Sequence, residues 1–216
     1  MSRQSSAAAT TMSSFQLQSA RARIMEAAAE MFRSQGYEVP MDAIATAANV
    51  SKQTLYNQFG SKEELFKAMV TDRALMMRAP LTAHAIERHP REVLTDIARQ
   101  YYLHACTAVE MGYYRMIVGA SQQFPEFGQA YYDAGPKQML HDLTQWIERE
   151  ERLGRLDTAG EAHYAAEHFL GMITAQVETR WLLGVGIEMA PSEVERRAKF
   201  CADVFMRAFG PQRLLV

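Results

Sequence analysis

Apolar residues return every three or four positions along most of this chain and almost nowhere alternate, the repeat of helices that each bury one stripe. Over residues 19–35 the stripe is Ile24, Ala27, Ala28, Met31 and Phe32, and Gly36 ends it. Ile44, Ala45 and Ala48 make a smaller stripe, interrupted at Asn49 and Val50. Ser51, Leu55 and Phe59 then share one side of a short helix, while Gln53, Tyr56 and Asn57 take the other. Leu65, Phe66, Met69 and Val70 carry a third helix from Ser61 to about Ala79, where Pro80 stops or kinks it. Further helices are predicted over residues 91–110, 113–124, 136–151, 161–183 and 192–209. His89-Pro90, Met111-Gly112, Phe124-Pro125, Gly135-Pro136, Leu153-Gly154, Gly184, Gly186 and Pro191 separate them. No segment reads as a strand, so the expectation is all-α.

Residues 41–67 hold the densest helix signals. Asn49 tolerates the left-handed backbone needed to leave a helix, and Ser51 suits the cap of the next one. Ser61-Lys62-Glu63-Glu64 is a capping box, with serine at the cap and glutamate three residues on. The order is helix, tight turn, helix, with a third helix behind. The polar side of the middle helix offers two amides and a phenol flanked by Lys52 and Thr54, groups that suit base edges and phosphates in a major groove.

The run NVSKQTLYNQFGSKEELF resembles the signature of the TetR family of bacterial transcriptional regulators around its recognition helix. The Val-Ser-Lys, Leu-Tyr, Phe and Ser-Lys-Glu-Glu-Leu elements all occur in order. Asn49 stands where the family most often has Gly, and Val39-Pro40 replaces the usual capping Thr or Ser; neither change removes a contact residue. The segment YYRMIVGASQQFPEFGQAYYDAGP, with Gly154-Arg155-Leu156 and AAEHFLGMI, is similar to the AefR-like branch of the family's C-terminal domains.

The resemblance implies a helix-turn-helix DNA-binding domain over 15–67, after a tail at 1–14, and a helical ligand-binding and dimerisation domain over 68–216. It implies a ligand-responsive repressor without a cofactor that dimerises through its last two helices; two-fold pairing then makes the operator an approximate palindrome, and the effector that releases it is expected to be small and hydrophobic. Gln53 and Asn57 would read bases and the Tyr56 hydroxyl would meet a phosphate. Lys52 and Thr54 would lie at the groove, with Ser51, Lys62 and Arg23 among the phosphate contacts. Arg21 is a further candidate, or a solvated charge like any at a helix start.

Composition narrows this picture. At 216 residues and 48% hydrophobic the chain can bury a substantial core. No run of about 18 apolar residues indicates a membrane span. The first 14 residues, rich in Ser, Ala and Thr, lack the apolar core of a secretory signal and read as a disordered tail. Cys106 and Cys201 form no CxxC pair, which fits a reducing cytoplasm. Net charge is -2, and residues 15–67 balance six basic against six acidic side chains. DNA affinity must then come from a few placed contacts and helix N-termini instead of a broad basic field.

Tyrosines, phenylalanines and methionines crowd the middle helices. Most belong to the core, yet methionines among aromatic walls also suit a pocket for apolar ligands. Tyr101, His104, Tyr114, Phe127, His168 and Met172 are the candidate lining, since polar-tipped residues among apolar ones can orient a ligand. His163 and His168 stand five apart, off the spacing of a shared metal-binding face. No nucleophile elbow, P-loop, dinucleotide fingerprint or HExxH run is present, so an enzyme is not expected. The alternative class is a helical protein-binding module that has lost DNA contact. For dimerisation the candidates are Ala165, Phe169, Met172, Ile173 and Gln176 on one late helix, with Val194, Phe200, Val204 and Phe205 on the last.

Overall fold

The computed structural model describes residues 19–81, 87–186 and 188–211, without the side chains of 73, 74, 76 and 77. The expected tail at 1–14 lies outside the described residues. The chain forms two units that divide between Met69 and Val70. Among the described residues there are helices and turns but no strand.

The first unit holds α1 (Ala20–Gln35), α2 (Met41–Ala47), α3 (Lys52–Phe59) and the start of α4 (Lys62–Arg78). Ser19 Oγ accepts the Ala22 amide at 3.2 Å, and Gly36 leaves α1 at φ 79. Ile24, Ala28 and Phe32 form the buried stripe of α1. Phe32, Tyr37 and Phe66 bring their rings together, with centroids 5.6 to 6.3 Å apart, and lock the α1–α2 loop onto α4. Each such side chain, fully buried, contributes about 1.5–3 kcal/mol of transfer free energy. Pro40 supplies no side-chain cap to α2, as the missing Thr or Ser implies, and Asp42 in its first turn offsets this through the helix dipole. Asn49 takes φ 50, the left-handed turn into α3.

The second unit comprises the rest of α4, a 3₁₀ turn (Ala79–Leu81), α5 (Pro90–Gln100) running into a π-helical turn (Tyr101–Ala105), and α6 (Ala108–Ala120). It continues through α7 (Pro125–Ala134), α8 (Pro136–Arg152), α9 (Ala162–Leu182) and α10 (Pro191–Phe209). α10 packs most extensively on α5, and α9 on α8. Val93, Leu94, Ile97, Phe169, Ile173, Ala198, Ala202 and Phe205 form the centre of the core.

Two expectations fail here. The helix expected over 91–110 is broken by the π turn, and α6 restarts where Thr107 Oγ1 accepts the Glu110 amide at 3.2 Å. Gly112, expected to break the chain, lies inside α6. The Thr-x-x-Glu spacing of a cap outweighed an isolated glycine. α7 was not expected; Pro125 supplies its first turn.

Candidate functional site

α3 is held by its ends and its inner side. Ser51 Oγ accepts the Thr54 amide at 3.0 Å and bonds the Thr54 hydroxyl at 2.8 Å. Leu55 and Phe59 are buried. Lys52, Gln53, Tyr56 and Asn57 are exposed, with Thr54 partly so. Anchoring one side while a row of amides and a phenol faces water is the arrangement a groove-reading helix requires.

Several of these groups already have partners. Gln53 Nε2 donates to Asn57 Oδ1 at 2.7 Å, one helical turn on. Lys52 Nζ meets Asp42 Oδ2 at 2.9 Å, which raises the lysine pKa. Arg23 Nε donates to the Ala48 carbonyl at 3.2 Å and thereby ties α1 to the end of α2. Lys62 Nζ donates to the Tyr37 carbonyl at 2.9 Å and lies 4.6 Å from the Tyr37 ring centroid; burial pushes its pKa down. Arg21 stacks over Phe59, 4.7 Å from the ring centroid. Of the expected phosphate contacts, Arg23 and Lys62 each hold a backbone carbonyl within the first unit, while Ser51 caps α3.

Residues 24–69 match the family described as bacterial regulatory proteins, tetR family, and residues 92–211 match the C-terminal domain of AefR-like transcriptional repressors. The chain belongs to the TetR family. It is a transcriptional regulator with a helix-turn-helix DNA-binding domain and a C-terminal ligand-binding domain, and the family is not one of enzymes. A TetR-type structure from Mesorhizobium loti MAFF303099 is similar at 26% identity, TM-score 0.76, over 88% of this chain and 96% of that one. The flavonoid-responsive regulator FrrA is similar at 28% identity, TM-score 0.69, over 90% and 98%. An HTH-type transcriptional regulatory protein, RaaS, from Mycobacterium tuberculosis is 52% identical over 79 residues, which span 37% of this chain and 37% of that protein.

In the TetR C-terminal unit, two of the six residues expected to line a pocket come together. Tyr101 donates its hydroxyl to Glu178 Oε2 at 3.3 Å, and Tyr114 lies near enough to Glu178 for the carboxylate to act on its phenol. Burial pushes the Tyr114 phenol up to about 12, and the Glu178 charge adds to it. Tyr101 moves further the same way, chiefly through burial, with Cys106 and Glu178 beside it. The Cys106 thiol rises to about 11 for the same first reason. Tyr114 also stacks on Tyr131, with ring centroids 5.4 Å apart. Two backbone irregularities flank the cluster: the π turn that carries Tyr101, and a kink in α9 at Ala175 (φ 27) one turn before Glu178. Trp181, one turn after Glu178, is buried, and its Nε1 has no acceptor among the described residues.

Phe127 is buried and Met172 packs against the core, so both are interior. His104 and His168 are exposed, against expectation. His104 leaves the interior on the π turn, and His168 lies beside the buried Phe169, with Nδ1 2.7 Å from the Tyr164 carbonyl oxygen. Sequence reasoning missed Glu178, although a carboxylate next to Val177 and three before Trp181, on a helix with buried apolar stripe, is a signal in itself.

The late helices also differ from expectation. Ala165, Phe169, Ile173, Val194 and Phe205 are consumed by the core, and Met172 and Val204 are partly buried. Phe200 stays 65% exposed on α10, and Tyr164 57% exposed on α9.

Proposed function

We propose that this regulator is a dimeric repressor that binds an approximately palindromic operator through α3 and releases it when a small hydrophobic effector enters the C-terminal unit. One observation carries the DNA side: α3 buries Leu55 and Phe59 and leaves Lys52, Gln53, Tyr56 and Asn57 exposed. Gln53 and Asn57 contact bases, while Tyr56, Ser51 and Lys52 contact the backbone. The near balance of charge over residues 15–67 favours specific over indiscriminate binding.

Tyr101, Tyr114 and Glu178 form the polar end of the effector site, with Phe127 and Met172 as apolar surroundings. A carboxylate that accepts from phenols also accepts from a ligand hydroxyl. The similarity to a flavonoid-responsive regulator supports a hydroxylated aromatic effector. α4 begins in the first unit and ends in the second, so it is the segment through which an effector shifts the population of DNA-competent dimers. The exposed Phe200 and Tyr164 mark the dimer face on α9 and α10.

Selection of duplexes from a random pool by the full chain tests the reading. A consensus with two inverted half-sites supports it, and an unenriched pool overturns it. Hydroxylated aromatic compounds added to the selected complex release the DNA if the effector reading holds.

A further inference from the structure

We infer that the C-terminal unit carries a second ligand site, a cleft between the carboxyl end of α4 and the outer side of α8, that takes an amphiphile with an anionic head. The cleft encloses about 580 Å³, within the range of small-molecule sites. Leu75, Ala79 and Leu81 line it from one side, and Trp146, Arg149 and Arg152 from the other. Its chemistry is opposite to that of the Tyr101–Glu178 cluster, and no residue is shared.

The charge of the cleft decides the ligand. Arg78, Arg149 and Arg152 face it together with Asp142 and Glu148. Asp142 is already committed, since it takes the Arg78 guanidinium and accepts from Gln138 at 3.1 Å. Arg149 reaches Oε1 of the fully buried Glu150 only at 3.3 Å, and Arg155 donates to the same oxygen at 2.8 Å and lies 2.6 Å from Oε2, which accepts no hydrogen bond among the described residues. Glu150 is thus overmatched by two guanidiniums, which leaves positive charge at Arg149. Arg152 and Glu148 are exposed at the mouth.

Hydrogen bonding points the same way. Trp146 is only 4% exposed, and its Nε1 has no acceptor among the described residues; nor has the buried Nε of Arg149. Both groups only donate, and buried donors without acceptors are rare in native proteins. A carboxylate or phosphate supplies acceptor oxygens and the missing negative charge in one group. Leu75, Leu81 and the indole receive the apolar tail. Because Leu75 and Arg78 belong to α4, occupancy acts on the same helix as the interior effector.

Binding of decanoate, decyl phosphate and 1-decanol to the full-length protein, followed by calorimetry, tests this. A Trp181→Phe background leaves Trp146 as the one remaining tryptophan and adds a fluorescence readout. At least one of the two anions binds about tenfold or more tightly than decanol, and their ranking separates carboxylate from phosphate. Arg152→Gln, an exposed change that leaves the fold alone, and Arg149→Gln each weaken the anion and leave decanol unchanged. Ligand-free DNA binding stays as in the parent, so failure here is distinct from failure of the repressor reading. Equal binding of decanol and both anions, no binding of either anion, or anion binding indifferent to both arginine variants overturns the proposal.

Discussion

Gln53 Nε2 and Asn57 Oδ1 are hydrogen-bonded to each other at 2.7 Å on the exposed side of α3. The bond fixes both amide orientations: Gln53 retains its carbonyl oxygen as an acceptor and Asn57 its amino group as a donor, before DNA arrives. Base reading by the two residues as a unit is the outcome expected of the proposed function. Removing either one frees the other, and a double-mutant cycle of Gln53→Ala and Asn57→Ala on a selected operator should show coupling of about 0.5–3 kcal/mol. Strict additivity would separate the two side chains functionally.

Lys62 was expected at a phosphate, yet its ammonium holds the Tyr37 carbonyl and lies over the Tyr37 ring. Lys62→Ala should lower the thermal midpoint of the protein and leave the slope of log affinity against log salt nearly unchanged. Loss of a direct phosphate contact would instead reduce that slope by about one. Titrations at several salt concentrations decide between them.

Gly186 lies against the Trp181 ring so closely that a Cβ would fall 2.2 Å from it. Gly186→Ala forces the indole or the turn after α9 to move, at a cost of about 1–3 kcal/mol. Chemical denaturation measures the loss, and an unchanged midpoint would contradict the packing described here.

On α10, Glu195 accepts from Arg99 at 2.8 and 3.1 Å and lies 3.0 Å from Lys199. Those hydrogen bonds hold its carboxyl near 2, down from 4.5. A carboxylate with a depressed folded pKa stabilises the native state above its unfolded pKa and loses that contribution as pH falls through the folded value. The stability gap between the parent and Glu195→Gln should therefore narrow as pH drops from 4.5 toward 2. A gap independent of pH would mean that the ion pair contributes nothing.

Phe200→Glu places a charge on the most exposed aromatic ring of α10 and should convert the proposed dimer to monomers by light scattering. A dimer that survives this change has its interface elsewhere.

Much of this fold was legible because local signals agreed with one another. Gly36, Asn49, Ser51 and Ser61 each mark a helix end in the first unit, and the structure uses every one. The side of α3 that faces water followed from the spacing of Leu55 and Phe59 alone. Legibility fell where long-range packing decides the outcome. The partners of Lys62 and Arg23 lie 25 residues away, and no local pattern announces a backbone carbonyl as a partner. In the C-terminal unit the π turn after α5 rotated His104 to the surface and brought Tyr101 to Glu178, which a regular 3.6-residue period does not foresee. The late helices misled for a related reason. Most of the apolar residues expected at a partner are used by the chain's own core, while Gln176 on α9 and Phe200 on α10 remain exposed.

In the proposed function α3 reads sequence through Gln53. Anisotropy titrations of the parent and Gln53→Ala against the selected operator and a scrambled duplex test it most directly. The expected result is a loss of about 1–3 kcal/mol on the operator, with binding to the scrambled duplex nearly unchanged. Equal losses on both duplexes, or none on the operator, would contradict it.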